Sequence, residues 1–168
     1  MTEVIMRSRK DFISSTLLTV VIIGQITLTV IFYNRNGNDI GRNIGWVILW
    51  ISALFGWLPI FTLKRLGRTG GKAYVHTTTL VDRGVYRIVR HPQYLAGMLV
   101  GAALPLIAQH WIVIPPGVAA IVLLYTGTFI EEKFTIEKLG EKYERYMQSV
   151  PRVNFILGLL RLLRKGRK

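Results

Sequence analysis

The sequence contains no cysteine and few acidic residues. The absence of cysteine excludes disulfides, thiolate catalysis and cysteine-ligated metal sites. Only 9 Asp and Glu stand against 22 Lys and Arg, which gives a formal net charge of +13. Nucleic-acid binding would place these cations as a stripe on a polar fold, whereas here they lie between apolar runs. The composition therefore indicates a membrane protein without a nucleic-acid partner.

Other signatures are also missing. No Gly-x-Gly-x-x-Gly motif or phosphate loop follows a predicted strand, which argues against a Rossmann cofactor domain. His76 and His110 lack partners at metal-ligand spacing, so no metal site is predicted. No run rich in Pro, Gly or Ser divides the 168 residues. We therefore predict a single membrane domain over residues 1–168.

The apolar runs predict the fold. They cover residues 12–33, 44–63, 94–108 and 111–130. At about 1.5 Å per residue, the first two can cross a hydrocarbon core of about 30 Å. The last two, separated by Gln109 and His110, predict a short antiparallel hairpin. The fold class is therefore all-α: a polytopic membrane helix bundle of about four spans.

The C-terminal region is more polar. Over residues 131–150, apolar residues recur at helical spacing between charged ones, which predicts an amphipathic cytosolic helix ended by Pro151. Asn154 can cap a last apolar and basic segment, residues 154–168. We predict that this segment lies at the membrane interface, where anionic lipids attract cations.

The distribution of Lys and Arg predicts the topology, because cytoplasmic loops retain these residues. The N-terminus, the loop over residues 64–91 and the tail after residue 130 hold 20 of the 22. In a four-span protein these three segments lie on one side. Both termini are therefore predicted to be cytosolic.

A polar cluster stands directly before the third apolar run. Pro92 suits the first position of a helix, so the third span is predicted to begin there with free N–H groups. Arg87, Arg90 and His91 flank this helix start, and together they predict an anion site. The alternative is an ordinary positive-inside anchor.

Glu131 and Glu132 close the fourth run. In an antiparallel hairpin, the start of the third span and the end of the fourth are neighbours, so these carboxylates would meet the anion site at one cytosolic mouth. A zwitterionic ligand with an additional cation, such as S-adenosylmethionine, suits that combination. Tyr86 and Tyr94 could face a sulfonium. The alternatives are that the two acids only begin the next helix and that the two tyrosines belong to the aromatic belt.

Several short motifs, in this order and at consistent spacing over about residues 70 to 154, resemble one family, the isoprenylcysteine carboxyl methyltransferase and phospholipid methyltransferase superfamily. They are Leu80-Val81, Gly84-Val85-Tyr86, Arg90-His91-Pro92-Gln93-Tyr94, Glu131-Glu132, Leu139-Gly140, Tyr143, Tyr146 and Val150-Pro151-Arg152. The resemblance implies a helical integral membrane enzyme that binds S-adenosylmethionine without a Rossmann fold.

The resemblance also implies site residues. The cofactor would be bound by Thr78, Thr79, Leu80, Val81, Tyr86, His91, Pro92, Gln93, Tyr94 and Glu131. An amine acceptor must lose a proton, for which Glu131, Glu132 and His91 are the candidate catalytic groups. Gly127 stands where prenylcysteine enzymes carry a substrate-side Arg, and Arg152 is a candidate to replace it, as are Arg83 and Arg87.

The predicted function is therefore methyl transfer from S-adenosylmethionine to a lipophilic acceptor, a prenylcysteine-type carboxylate or a lipid amine, at the cytosolic membrane edge. Two alternatives remain open. One is a nicotinamide-dependent membrane reductase, because certain sterol reductases resemble this superfamily. The other is a non-enzymatic membrane scaffold. The sequence does not predict the oligomeric state.

Overall fold

A computed structural model of the chain describes residues 2–66 and 80–165. Within these residues all regular structure is helical, with no β-strand. The α-helices are α1 (Thr2–Ile31), α2 (Asp39–Leu66), α3 (Pro92–Ala108), α4 (Ile114–Leu139), α5 (Glu141–Ser149) and α6 (Phe155–Lys165). Short 3-10 turns occupy Gly84–Arg87 and Trp111–Val113. The predicted all-α class is confirmed.

The chain forms two compact units. The first unit comprises Met1–Ile51 and Gly97–Thr126, and the second comprises Ser52–Ala96 and Gly127–Lys168. Helices α2, α3 and α4 each contribute residues to both. The residues that the sequence singles out for chemistry belong to the second unit.

Two helical stretches of the described chain are long and apolar enough to cross a membrane, Asp39–Arg65 and Trp111–Leu139. The apolar stretches Ser15–Ile31 and Pro92–Ala108 are shorter. Large apolar side chains are exposed along the first of the long stretches, including Trp50 at 72% and Trp57 at 65%. Exposed apolar surface of this kind marks contact with lipid or protein rather than water. Membrane association is therefore supported, while the number of spans stays a prediction.

The boundaries differ from the prediction mainly at the end of α4. Instead of one helix over residues 131–150, α4 continues to Leu139 and α5 begins at Glu141. Gly140 separates them with φ 57°, a conformation that glycine adopts without steric cost. Helix α3 begins at Pro92, as predicted. Asn154 caps α6, because its Oδ1 accepts from the backbone N–H of Leu157 at 3.0 Å.

The first unit is held by close backbone packing around a buried amide. Gln25 of α1 is fully buried and donates through Nε2 to the carbonyl oxygens of Gly101 (2.9 Å) and Val113 (3.4 Å). Gly101 on α3 and Gly117 on α4 lie so close that a Cβ on Gly117 would collide with the Gly101 carbonyl oxygen. Small residues allow this approach, which is common between membrane helices.

We predict that Gly117→Ala lowers the free energy of unfolding by about 1–3 kcal/mol, because the added methyl forces the α3 and α4 backbones apart. The measurement is SDS-titrated unfolding in mixed micelles. Gly24→Ala is the matched control, since a Cβ there meets nothing within 4 Å. Equal destabilisation by both substitutions would contradict the close-approach account.

The second unit places α6 and the end of α5 against residues 80–91, which we call the polar loop. The rings of Phe55 and Phe155 pack with centroids 5.5 Å apart. Gly158 lies against the backbone of Ile88, where a side chain would collide with the Ile88 carbonyl oxygen. Ser52 donates to the carbonyl oxygen of Ala96 at 2.8 Å. These contacts fix the residues on either side of the helix start at Pro92.

Candidate functional site

The segment before α3 is anchored by main-chain hydrogen bonds to the segment after α5. The N–H of Arg90 donates to the Pro151 carbonyl oxygen at 3.0 Å, and the N–H of His91 donates to that of Arg152 at 3.1 Å. Because Pro92 keeps the residue before it out of helical geometry, these N–H groups need partners outside the helix. The extended residues around Pro151 provide them.

A buried carboxylate joins the same segments through side chains. Glu132 is 3% exposed. Its Oε1 lies 2.9 Å from Nη2 of Arg90 and 3.1 Å from Nε2 of His91. Arg152 donates to the same carboxylate through Nε, at 3.1 Å to each oxygen, and through Nη2 to Oε2. The Arg152 guanidinium also lies over the ring of Phe129, 3.6 Å from its centroid. Glu132 therefore organises the site.

We predict that Glu132→Gln lowers the free energy of unfolding by about 3 kcal/mol, because it removes the counter-charge of the buried Arg90 guanidinium and of the partly buried Arg152 guanidinium. Thermal or SDS-titrated unfolding measures this loss. The matched control is Glu131→Gln, whose side chain is 50% exposed and whose effect should stay within about 0.5 kcal/mol. A Glu132→Gln variant as stable as the control would refute the organising role.

His91 lies between the two acids with its imidazole buried. Nε2 contacts Glu132, and Nδ1 lies 3.9 Å from Oε2 of Glu131. Burial lowers the pKa of His91, helped by the charge of Arg90 and opposed by Glu131 and Glu132. The neutral ring donates its Nε2 proton to Glu132, which leaves Nδ1 as an acceptor on the side of Glu131. The ring of Tyr94 meets it edge-on at 5.5 Å.

The lowered pKa of His91 predicts a pH dependence of stability. A histidine whose folded pKa lies below its ordinary value of 6.5 contributes stability that is complete above that value. The contribution is lost as the pH falls below 6.5 and through the folded pKa. Unfolding measured between pH 8 and 5 should show this loss, and His91→Gln should reduce it. An identical pH profile in the variant would exclude His91 as the titrating group.

A cavity of about 190 Å³ opens beside this network, and we call it the histidine cavity. Its lining includes six of the residues predicted to bind a cofactor: Leu80, Val81, Tyr86, His91, Gln93 and Glu131. Burial, with a contribution from the charge of Glu131, raises the pKa of Tyr86 to about 12. Burial, followed by the charge of Glu132, raises that of Tyr143 to about 12. Both phenols stay protonated and can donate hydrogen bonds.

Four other predicted site residues do not line the histidine cavity, and two lie outside the described residues. Pro92, Tyr94, Glu132 and Arg152 are not among the residues lining the histidine cavity. The side chain of Arg152 binds Glu132, and its contact with substrate stays a prediction. Thr78 and Thr79 lie outside the described residues.

The cavity is also lined by Arg90, which the sequence predicts as part of an anion site, and by several residues without a predicted site role, among them Tyr143 and Tyr146. Both tyrosines pack in a cluster with Val150. The Tyr146 hydroxyl also donates to the Tyr86 carbonyl oxygen at 2.5 Å. Their spacing of three residues predicts a shared helix face, but only the tertiary structure shows that this face borders the cavity.

Comparison with known proteins identifies the family of the chain. A model of the phospholipid methyltransferase family matches residues 41–142, more than half of the chain. The chain belongs to the phospholipid methyltransferase family. It is also 33% identical, over 66 residues, to the methanethiol S-methyltransferase of Pseudomonas deceptionensis. That stretch is 39% of this chain and only 24% of the Pseudomonas protein.

Membership of the phospholipid methyltransferase family confirms the resemblance. The reductase and scaffold alternatives are not favoured. The matched segment contains Glu131, Glu132 and residues 80–94. Arg152 and Tyr146 lie beyond it, although both contact residues inside it.

Proposed function

We propose that this protein transfers a methyl group from S-adenosylmethionine to a lipophilic acceptor at the cytosolic edge of the membrane. The observation that carries the proposal is the histidine cavity, in which a half-exposed carboxylate, a buried guanidinium and protonated tyrosines line one space. Family membership supplies the reaction class, and the cavity supplies groups suited to the donor.

The cavity residues fit the charges of S-adenosylmethionine. Arg90 lines the cavity, and the positive charge of its guanidinium suits the donor's carboxylate. The negatively charged carboxylate of Glu131 suits the positively charged amino group of the donor. The rings of Tyr86 and Tyr143 can face a sulfonium through cation–π contact. Leu80 and Val81 add apolar surface for the adenosine.

When bound, S-adenosylmethionine supplies a methyl group on a positively charged sulfur that departs as a neutral thioether. The residues of the chain hold the acceptor in line with that group. Orientation of two reactants can lower a barrier by roughly 7–11 kcal/mol, so positioning provides most of the rate. Glu132, which fixes Arg90 and His91, acts as a positioning residue.

Steric and charge arguments favour an acceptor that gives up a proton over a carboxylate. A Cβ on Gly127 would lie 3.0 Å from Cε1 of Tyr94, so the Tyr94 ring already fills the space of a larger side chain. Arg152 is engaged by Glu132. A lipid amine needs no cation for recognition, and the Pseudomonas relative is named for a thiol acceptor. Glu131, or Nδ1 of His91, takes the proton and frees the acceptor's lone pair to bond the methyl carbon.

Charge distribution supports the cytosolic location. Most of the Lys and Arg lie in the loop over residues 64–91 and in the C-terminal segment, and cytoplasmic segments retain such residues. The donor then enters from water and the acceptor arrives laterally through the bilayer.

Calorimetric titration of the detergent-purified protein with S-adenosylhomocysteine tests the proposal. We expect saturable binding to the wild type and at least about tenfold weaker binding to Glu131→Gln, because about 1.4 kcal/mol of charge-assisted contact corresponds to a factor of ten. Glu137→Gln is the matched control, an exposed acid of α4 that does not line the cavity. It should bind like the wild type.

NADPH serves as the control ligand. Binding of NADPH alone would contradict the proposal, as would equal affinity of S-adenosylhomocysteine for Glu131→Gln and the wild type. A positive titration should be followed by transfer of a radiolabelled methyl group to phosphatidylethanolamine and to an alkyl thiol, which separates the two acceptor classes.

A further inference from the structure

A second cavity in the second unit has a different character. It measures about 380 Å³ and is bordered by the polar loop, α5 and α6; we call it the basic cavity. It shares Leu80 and Tyr146 with the histidine cavity but contains neither His91 nor Glu131.

The charges of the basic cavity are unbalanced. Its lining includes four cations and one acid: Arg87, Lys142, Arg145, Arg161 and Asp82. Arg145 is paired with Glu141 at 3.0 Å. Nη1 of Arg161 donates to the carbonyl oxygen of Ser149 at 3.3 Å, which orients the guanidinium, and Arg161 forms no ion pair with another described residue.

Within residues 2–66 and 80–165, Arg87 and Lys142 form no ion pair. Counting Asp82 in the lining and Glu141 beside Arg145, two negative charges face the four cations of the basic cavity. The cavity therefore carries an excess of two positive charges. Cations brought together from three elements repel one another, and a bound anion relieves that repulsion.

We propose that the basic cavity binds a phosphate group. Guanidinium groups donate to phosphate oxygens in a fork geometry, and a lysine adds a point charge. Arg87 and Arg161 approach the cavity from different elements, so a tetrahedral oxyanion can accept from both. The neighbouring Ser149 hydroxyl is a further polar group in the lining.

Helix α6 indicates the source of the phosphate. Beside Arg161 and Leu162, both of which line the basic cavity, it exposes large apolar side chains: Ile156, Leu157, Leu159, Leu160 and Leu163. A helix with this arrangement lies in the membrane interface, with cations at headgroup level. The headgroup phosphate of an anionic phospholipid is the favoured source, and free phosphate has the same chemistry. The site is separate from methyl transfer and does not depend on it.

Thermal unfolding of the full chain in a neutral detergent tests the site. The ligands are dihexanoyl phosphatidylglycerol, inorganic phosphate and dihexanoylglycerol, which lacks phosphate. We expect saturable stabilisation by the phospholipid, weakened by added NaCl, and none by dihexanoylglycerol. The double variant Arg87→Gln, Lys142→Gln should weaken the apparent affinity at least about tenfold, because it removes two charge-assisted contacts.

Arg164→Gln is the matched control, because Arg164 is an exposed cation of α6 outside the cavity lining. It should leave the affinity within about twofold, since exposed charges contribute little. Arg87→Lys with Lys142→Arg keeps both charges and should restore binding, which separates loss of the site from loss of the fold.

The choice of ligands also distinguishes the two possible sources of the phosphate, a lipid headgroup and free phosphate. Stabilisation by the phospholipid alone identifies a lipid site, and equal stabilisation by inorganic phosphate identifies a free-phosphate site. No stabilisation by either ligand would overturn the proposal. Equal stabilisation by dihexanoylglycerol, or an equal loss in Arg164→Gln, would overturn it as well, because the effect would then be general membrane or charge affinity.

Discussion

The buried carboxylate of Glu132 constrains the whole candidate site. It binds Arg90 and His91, which stand before α3, and Arg152, which follows α5. A carboxylate is costly to bury unless cations and hydrogen bonds compensate it, so these groups can be buried only together. The main-chain bonds from Arg90 and His91 to Pro151 and Arg152 run beside the same contacts. One acid thus determines where the helix start at Pro92 lies relative to the C-terminal segment.

That constraint separates the roles of two adjacent acids. Neighbouring residues on a helix point about 100° apart, so Glu132 can face the cations while Glu131 faces the histidine cavity. The Glu131 side chain stays 50% exposed. His91 lies between them and presents Nδ1 on the side of Glu131. We propose that the site uses one acid for architecture and the other for chemistry.

Much of the fold follows from local sequence patterns. The helices, the start of α3 at Pro92 and the cap at Asn154 are predicted from apolar periodicity, proline geometry and capping chemistry. The end of α4 is not, because the change from apolar to charged residues at 131 does not break a helix, whereas Gly140 does. The separate roles of Glu131 and Glu132 and the contact of Arg152 with Glu132 are not predicted either. They depend on contacts between residues 20 to 42 positions apart, which a single sequence does not reveal.

Hydrogen–deuterium exchange, with and without S-adenosylhomocysteine, tests the central claim most directly. The account predicts that the ligand slows exchange in peptides covering residues 80–94 and 131–146, whose side chains line the histidine cavity, and leaves residues 97–126 unchanged. Protection of residues 97–126 alone, or no protection of either segment at saturating ligand, would contradict it.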